Sequence, residues 1–223
     1  MPEWWSYGLS DFLLFSPRTY YRLIERYNET VWPLHLLAAG LGLAIAMVLR
    51  RPTAARSRAV FATVALLWIW VSWSFVWNRY ATINWAASYL VWLPLIEAGL
   101  LLWLGAMSGR LTLVRRAGVW GYAGIATFLV GLVLYPMFAP MLGRGLSQAE
   151  VFGVMPEPTA VATLGVLLLT EGSPRWLAVV PMVLWCLTAG ATLYAMRSAE
   201  AWLPAAAAIL ALAGLRARAI AAT

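Results

Sequence analysis

Glu97 is the residue whose sequence context most favours chemistry. It lies near the middle of a long apolar stretch, Tyr89 to Trp103, and Pro94 precedes it by one turn. If this stretch crosses a bilayer, the carboxyl group costs at least about 2.5–3.5 kcal/mol, so it is a functional-site candidate. Pro94 would also free the carbonyl of Leu90. The pattern predicts either a proton or cation site inside a helix bundle or a hydrogen-bonded carboxyl that joins two helices.

His35 and Glu157 are further candidates for proton or cation chemistry. His35, the single histidine, lies about one turn inside the first predicted span. It could relay protons to Glu97 or ligate a metal, although a lone histidine more often makes an ordinary hydrogen bond. Glu157 stands between Pro156 and Pro158, which predicts a rigid, non-helical turn. That turn could present the carboxylate to a cation, or it could simply contain an acid.

Trp70 and Trp73 share one face of the second predicted span, together with Trp77. Indole rings deep in a bundle could form a wall against a ligand or cation. The alternative is bundle packing, with each indole N–H bonded to a neighbour. The chain has no zinc-ligand spacing, nucleophile elbow, phosphate-binding loop or paired-carboxylate motif. We therefore expect no catalytic residues, no metal and no cofactor, and an enzyme is the less favoured class.

The composition identifies the environment in which these residues must work. Of the 223 residues, 63% are hydrophobic and only 11% are charged, and the mean hydropathy is +0.77. These values are typical of an integral membrane protein. All sixteen basic residues are arginine, which excludes a retinal protein with a Schiff-base lysine. The net charge of +7 is better explained by membrane topology than by nucleic-acid binding.

The order of apolar segments predicts an all-α polytopic helix bundle with about seven transmembrane helices. Residues 1–30 form an interfacial amphipathic segment, and residues 31–223 form the bundle. Ser16-Pro17 predicts the start of the interfacial helix. Its arginine-rich face is solvated, or else it docks a lipid headgroup or a partner. The predicted spans are 31–49, 59–77, 85–107, 119–141, 160–170, 175–196 and 201–215. The fifth is short enough to be a re-entrant half-helix.

The distribution of arginines selects between these topologies. If residues 160–170 span the membrane, the connections on one side contain ten arginines: Arg50, Arg51, Arg56, Arg58, Arg110, Arg115, Arg116, Arg175, Arg216 and Arg218. The other side's loops then contain Arg79, Arg144 and Arg197. If residues 160–170 form a re-entrant half-helix, eight arginines lie on one side of the membrane and five on the other. The positive-inside rule favours seven spans, with the N-terminus outside and the C-terminus cytoplasmic. We expect no cleavable signal peptide.

Two stretches of the chain resemble a known family. The stretch from Phe12 to Tyr21, and Pro156-Glu157-Pro158-Thr159 with the later Leu164-Gly165, are similar to an uncharacterised family of bacterial integral-membrane proteins, the domain-of-unknown-function 6064 family. The resemblance implies a multi-pass fold in the bacterial inner membrane, and it implies no activity. Members of that family tend to have cysteine between the two prolines. Because this chain has Glu157 there, a thiolate metal site is not expected.

Two functional hypotheses follow. The first is a small transporter, channel or solute-binding protein with a site around Glu97, the Trp70/Trp73 face, His35 and Glu157. Its cargo would be a small cation or a compact apolar or amine solute. The second is a non-catalytic accessory subunit of a larger membrane complex, or a homo-oligomer. In either case the lipid bilayer is the principal partner, and nucleic acid is not one.

Overall fold

Helices form nearly all of the regular structure. The computed structural model describes residues 13–172 and 174–220. Its α-helices are α1 (Pro17–Val31), α2 (Leu34–Arg50), α3 (Ala54–Val71), α4 (Ala87–Leu90), α5 (Trp92–Leu100), α6 (Val119–Leu129), α7 (Tyr135–Met141), α8 (Pro156–Leu168), α9 (Arg175–Ala195) and α10 (Trp202–Ile220). The helices α3, α5 and α6 continue as π-helical turns over Ser72–Trp77, Leu101–Met107 and Val130–Leu134.

Several of these helices are suited to a bilayer. Five helical segments are long and apolar enough to cross one: 54–82, 87–107, 119–141, 175–195 and 199–217. The helices α1 and α2 meet at 89°, and they would supply a sixth span if they are counted together. The coarse prediction of a nearly all-α protein with several helices long and apolar enough to span a membrane is therefore confirmed.

The helix α1 begins where the sequence predicts. The Ser16 hydroxyl accepts a hydrogen bond from the Thr19 backbone N–H at 3.2 Å, and proline occupies the first helical position. The helix is amphipathic, but its apolar side is buried within the protein through Tyr20, Ile24 and Tyr27. Those side chains therefore stabilise the contact between α1 and the bundle and are not free to enter lipid.

The helix α8 is the centre of the molecule, because all thirteen of its residues are buried. The predicted non-helical turn at Pro156 to Pro158 is wrong, since these residues form the first turn of α8. The first N–H groups of a helix have no partner inside the helix, so proline is tolerated there. Gly165 of α8, and Gly131 in the π-helical turn after α6, let the two helical segments approach closely: a Cβ on Gly165 would lie 2.4 Å from the backbone nitrogen of Phe128.

A short strand pairing fixes the direction of α8. The strand β1 (Thr112–Leu113), after α5, pairs antiparallel with β2 (Thr170–Glu171), after α8. The ends of these two helices therefore lie at one end of the bundle. The start of α8 lies at the opposite end, where Glu157 borders the same cavity as Leu90, which precedes α5, and Thr192 near the end of α9. The chain thus passes from one end of the bundle to the other through α8.

Candidate functional site

Three carboxyl groups and one guanidinium lie close enough to interact electrostatically near the end of the bundle where α8 begins. Glu150 lies in the connection before α8, Glu157 lies in its first turn, and Glu200 lies in the short 3-10 helix Ala199–Ala201. All three glutamates are buried. Arg144 follows α7 and is mostly buried as well. We call these four residues the carboxylate cluster. It contains three of the nine acidic residues of the chain.

Glu200 is the member of the cluster that is held by direct contacts. Arg144 donates from one of its terminal nitrogens to Glu200 Oε1 and forms an ion pair with it. The guanidinium also stacks 4.1 Å from the centre of the Tyr21 ring. The Tyr21 hydroxyl lies 2.7 Å from Ser198 Oγ and donates to Glu200 Oε1 at 3.4 Å. Burial raises the pKa of Tyr21 to about 12, so the hydroxyl remains a neutral donor at pH 7.

Among the described residues, neither Glu150 nor Glu157 forms an ion pair like that of Glu200. Burial raises the pKa of Glu150 well above its ordinary value of 4.5, the Glu157 carboxylate raises it further, and Arg144 offsets only part of this. If all three glutamates were ionised, the cluster would contain three negative charges and one positive charge, an excess of two. Isolated buried charges are strongly disfavoured, so this excess favours uptake of protons or binding of a cation.

A small cavity adjoins Glu157. It has about 10 Å³ of space and is bordered by Tyr20, Tyr80, Trp185 and Thr192, among others. That volume is close to the minimum that holds one water molecule. Within the described residues, Glu157 Oε2 and Trp185 Nε1 make no hydrogen bond. The cavity therefore combines an acceptor, a donor and room for one small polar molecule.

Two side chains from α1 and α2 hold the connection that carries Glu150. The Asn28 side-chain amide donates to the carbonyls of Ser147 at 2.8 Å and Ala149 at 2.9 Å. His35 Nε2 lies 3.0 Å from Asn28 Oδ1 and fixes the orientation of that amide. His35 is thus linked to the carboxylate cluster through Asn28 and the backbone before Glu150.

Glu97 lies apart from this site. It is fully buried in α5, and neither of its carboxylate oxygens has a hydrogen-bond partner among residues 13–172 and 174–220. It does not border the cavity beside Glu157. The structure therefore brings Glu157 into a polar cluster and leaves Glu97 in an apolar environment.

The tryptophans in and after α3 are not buried in the way that their spacing predicted. Trp70 borders an open apolar groove, and Trp73, in the π-helical turn after α3, is 63% exposed. Among residues 13–172 and 174–220, the buried indoles are Trp68 and Trp185, whose rings lie 6.5 Å apart. Trp68 Nε1 donates to Thr163 Oγ1 of α8 at 3.1 Å. The tryptophan that borders the candidate site is therefore Trp185.

Sequence reasoning missed Glu150, Glu200 and Arg144, although a usable signal existed. In the seven-span topology, the connections 142–155 and 196–201 lie on the same side of the membrane as the start of α8. Acidic residues in short connections on one side can come close together, and the depth of each acid in an apolar run does not reveal this. In the described part of the chain, no group of three or more His, Cys, Asp or Glu side chains is arranged to hold a metal ion.

Comparison with known proteins gives a family without an activity. No curated protein and no solved structure matches the chain. A family model described as "Family of unknown function (DUF6064)" matches residues 18–223, which include the carboxylate cluster and the whole helical bundle. The chain therefore belongs to the DUF6064 family of unknown function.

Proposed function

We propose that this chain is a seven-span protein of the bacterial inner membrane. The spans would be α2, α3, α5, α6 with α7, α8, α9 and α10, while α1 lies at the outer interface. The connections on the inner side contain ten arginines, and the outer side contains six when the three of α1 are included, so the division supports an external N-terminus and a cytoplasmic C-terminus. The pairing of β1 with β2 supports a crossing by α8. At thirteen residues, α8 is about 20 Å long, so it would cross within the other helices and not in contact with lipid.

Within this topology, the proposed function is proton-linked or cation-linked binding and transport of a small solute at the carboxylate cluster. The observation that supports it is the buried excess of negative charge, three glutamates against Arg144 alone. Arg144 and Tyr21 contact the Glu200 carboxyl group directly, whereas Glu150 and Glu157 share the remaining excess of negative charge. One proton, or a compact ammonium group in place of one, would reduce that excess from two negative charges to one. The Thr188 and Thr192 side chains at the cavity would then provide hydroxyl groups for proton transfer.

A pH titration of stability tests whether the cluster binds protons. Because the pKa of Glu150 is raised in the folded state, the unfolded chain ionises first as the pH rises above 4.5. Stability that is present below pH 4.5 is therefore lost as the pH rises toward the folded pKa. The maximum slope is about 1.4 kcal/mol per pH unit for one proton. We expect Glu150→Gln to reduce this slope, as measured by thermal unfolding of the purified protein between pH 4.5 and 8.

The matched control is Glu171→Gln, which removes an acid whose side chain is 57% exposed. It should leave the pH dependence unchanged. Equal slopes for wild type and Glu150→Gln would remove the basis of the proposal. If the slope is present, proteoliposomes containing a pH-sensitive dye will show whether the protein moves protons when amines or monovalent cations are added outside. We expect Glu157→Gln to abolish that flux while the variant remains folded.

A second candidate function is a non-catalytic subunit of a larger membrane complex. An apolar groove with about 320 Å³ of space supports it, and it is bordered by Leu37, Leu41, Leu66 and Trp70 on α2 and α3. Cys186 is buried, so a cysteine introduced at exposed Leu37 should be labelled selectively. A partner helix in the groove would protect Leu37→Cys from a lipid-soluble maleimide in native membranes, but not after purification. The control Leu212→Cys, on exposed α10 surface, should be labelled in both states.

A further inference from the structure

We propose that the exposed face of α1 binds the phosphate group of an anionic phospholipid. Three arginines, Arg18, Arg22 and Arg26, recur every four residues and therefore form one line along the helix. We call them the arginine stripe. They border an open cleft with about 390 Å³ of space, which Thr82 and Ile83 close on the opposite side. The cleft offers three guanidinium groups and the Thr19 and Thr82 hydroxyls to one ligand.

The charge of the stripe favours an anionic ligand. Like charges four residues apart destabilise a helix. Within the described residues, none of the three guanidinium groups is in an ion pair; the pairs are Arg116 with Glu171 and Arg144 with Glu200. Glu25, one of the two acids on α1, instead accepts from the Gln148 side chain at 3.3 Å. An anion in the cleft would offset the repulsion, and the planar guanidinium matches the paired oxygens of a phosphate.

The position of the cleft favours a lipid over a soluble phosphate. The helix α1 meets α2 at 89°, so α1 lies parallel to the membrane surface if α2 crosses the membrane as proposed above. The connection containing Thr82 and Ile83 is flanked by exposed Trp77 and Trp85. Exposed tryptophans of this kind are typical of the headgroup region. The cleft therefore lies at the depth of phospholipid phosphates.

Native mass spectrometry of the full chain in detergent tests this site directly. Dioleoyl phosphatidylglycerol would be titrated against dioleoyl phosphatidylcholine, and the occupancy of the first bound lipid would be measured. We expect Arg22→Gln to weaken binding of the anionic lipid about fivefold, and Arg18→Gln/Arg22→Gln about 25-fold. Binding of phosphatidylcholine should be unchanged. Arg115→Gln is the control, because it removes one exposed positive charge in the connection between α5 and α6.

Each outcome decides the proposal. Equal affinity in wild type and Arg22→Gln, or an equal loss in Arg115→Gln, would overturn it. Displacement of the lipid by an equimolar amount of glycerol 3-phosphate would identify a soluble phosphate as the ligand and would overturn the lipid source. Arg22→Lys keeps the charge but loses the planar fork, so a loss of affinity in that variant supports direct phosphate contact. None of these measurements depends on proton binding at the carboxylate cluster, so the two proposals can fail separately.

Discussion

Glu97 and the carboxylate cluster are two buried acidic regions with opposite surroundings. Glu97 lies alone in α5, and neither of its oxygens has a hydrogen-bond partner in the described chain. The cluster brings Glu150, Glu157 and Glu200 together with Arg144 and several tyrosines. A lone carboxyl in an apolar environment is least costly when it is protonated and stays so. Several carboxyls beside one arginine can instead exchange protons among themselves, so the cluster has the chemistry expected of a working site.

The largest expected effect lies in the cluster, at Arg144. Replacing it by methionine leaves Glu200 buried without its cation, and losing one partner of a buried pair costs about 3–5 kcal/mol. We expect Arg144→Met to lower the free energy of unfolding by that amount, as measured by denaturant titration of the detergent-solubilised protein. The matched control is Arg116→Met, because Arg116 pairs with the largely exposed Glu171. That change should cost about 0–1 kcal/mol.

The double variant Arg144→Met/Glu200→Met distinguishes the contribution of the ion pair to stability from the contribution of Arg144 packing. If the loss in the single variant comes from an unpaired buried charge, removing that charge should restore most of the stability. A double variant as unstable as Arg144→Met would show that the arginine acts through its stacking on Tyr21. Equal losses in Arg144→Met and Arg116→Met would contradict the burial of the pair.

At Glu97 the expected effect is smaller and has the opposite sign. Because its carboxyl group is buried without partners, exchange for an apolar side chain of similar length removes a cost of about 1–3 kcal/mol. We therefore expect Glu97→Met to raise the unfolding temperature and to leave proton flux unchanged. A strongly destabilised or inactive Glu97→Met variant would contradict this prediction, because it would show that Glu97 contributes to stability or to proton flux.

The smallest effect is expected at Trp73, which the sequence grouped with Glu97. Its side chain is 63% exposed, so Trp73→Ala should change the free energy of unfolding by less than about 0.5 kcal/mol. Trp185→Ala is the contrasting variant, because Trp185 is buried beside the Glu157 cavity. It should cost about 3–5 kcal/mol. Similar responses of the two variants in thermal unfolding would mean that the Trp73 face is covered by protein.

The local features of the fold were predictable from the sequence. The cap at Ser16, the glycines that let α6 approach α8, and the burial of Glu97 all follow from residue types at helical spacing. The π-helical turn at Val130–Leu134 lies just before Pro136, a residue type that disrupts the hydrogen bonding of a helix. By contrast, the proline pair around Glu157 predicted a non-helical turn, whereas in the structure it forms the first turn of α8. Proline interrupts a helix in its interior but is tolerated in its first turn. Which of the two applies depends on where the helix begins, and packing against other helices decides that position.

By itself, the sequence determined that the chain forms apolar helices and that few of its residues can carry charge into them. Hydrophobic length and helical period are properties of contiguous residues, so one segment is enough to reveal them. Only the tertiary structure decided which of the nine acids share a site. Glu150, Glu157 and Glu200 come from separate segments, and Arg144 reaches Glu200 across 56 residues of chain. Electrostatic interaction depends on distance in space, and that distance is fixed only when α1, α8 and α9 pack at the same end of the bundle.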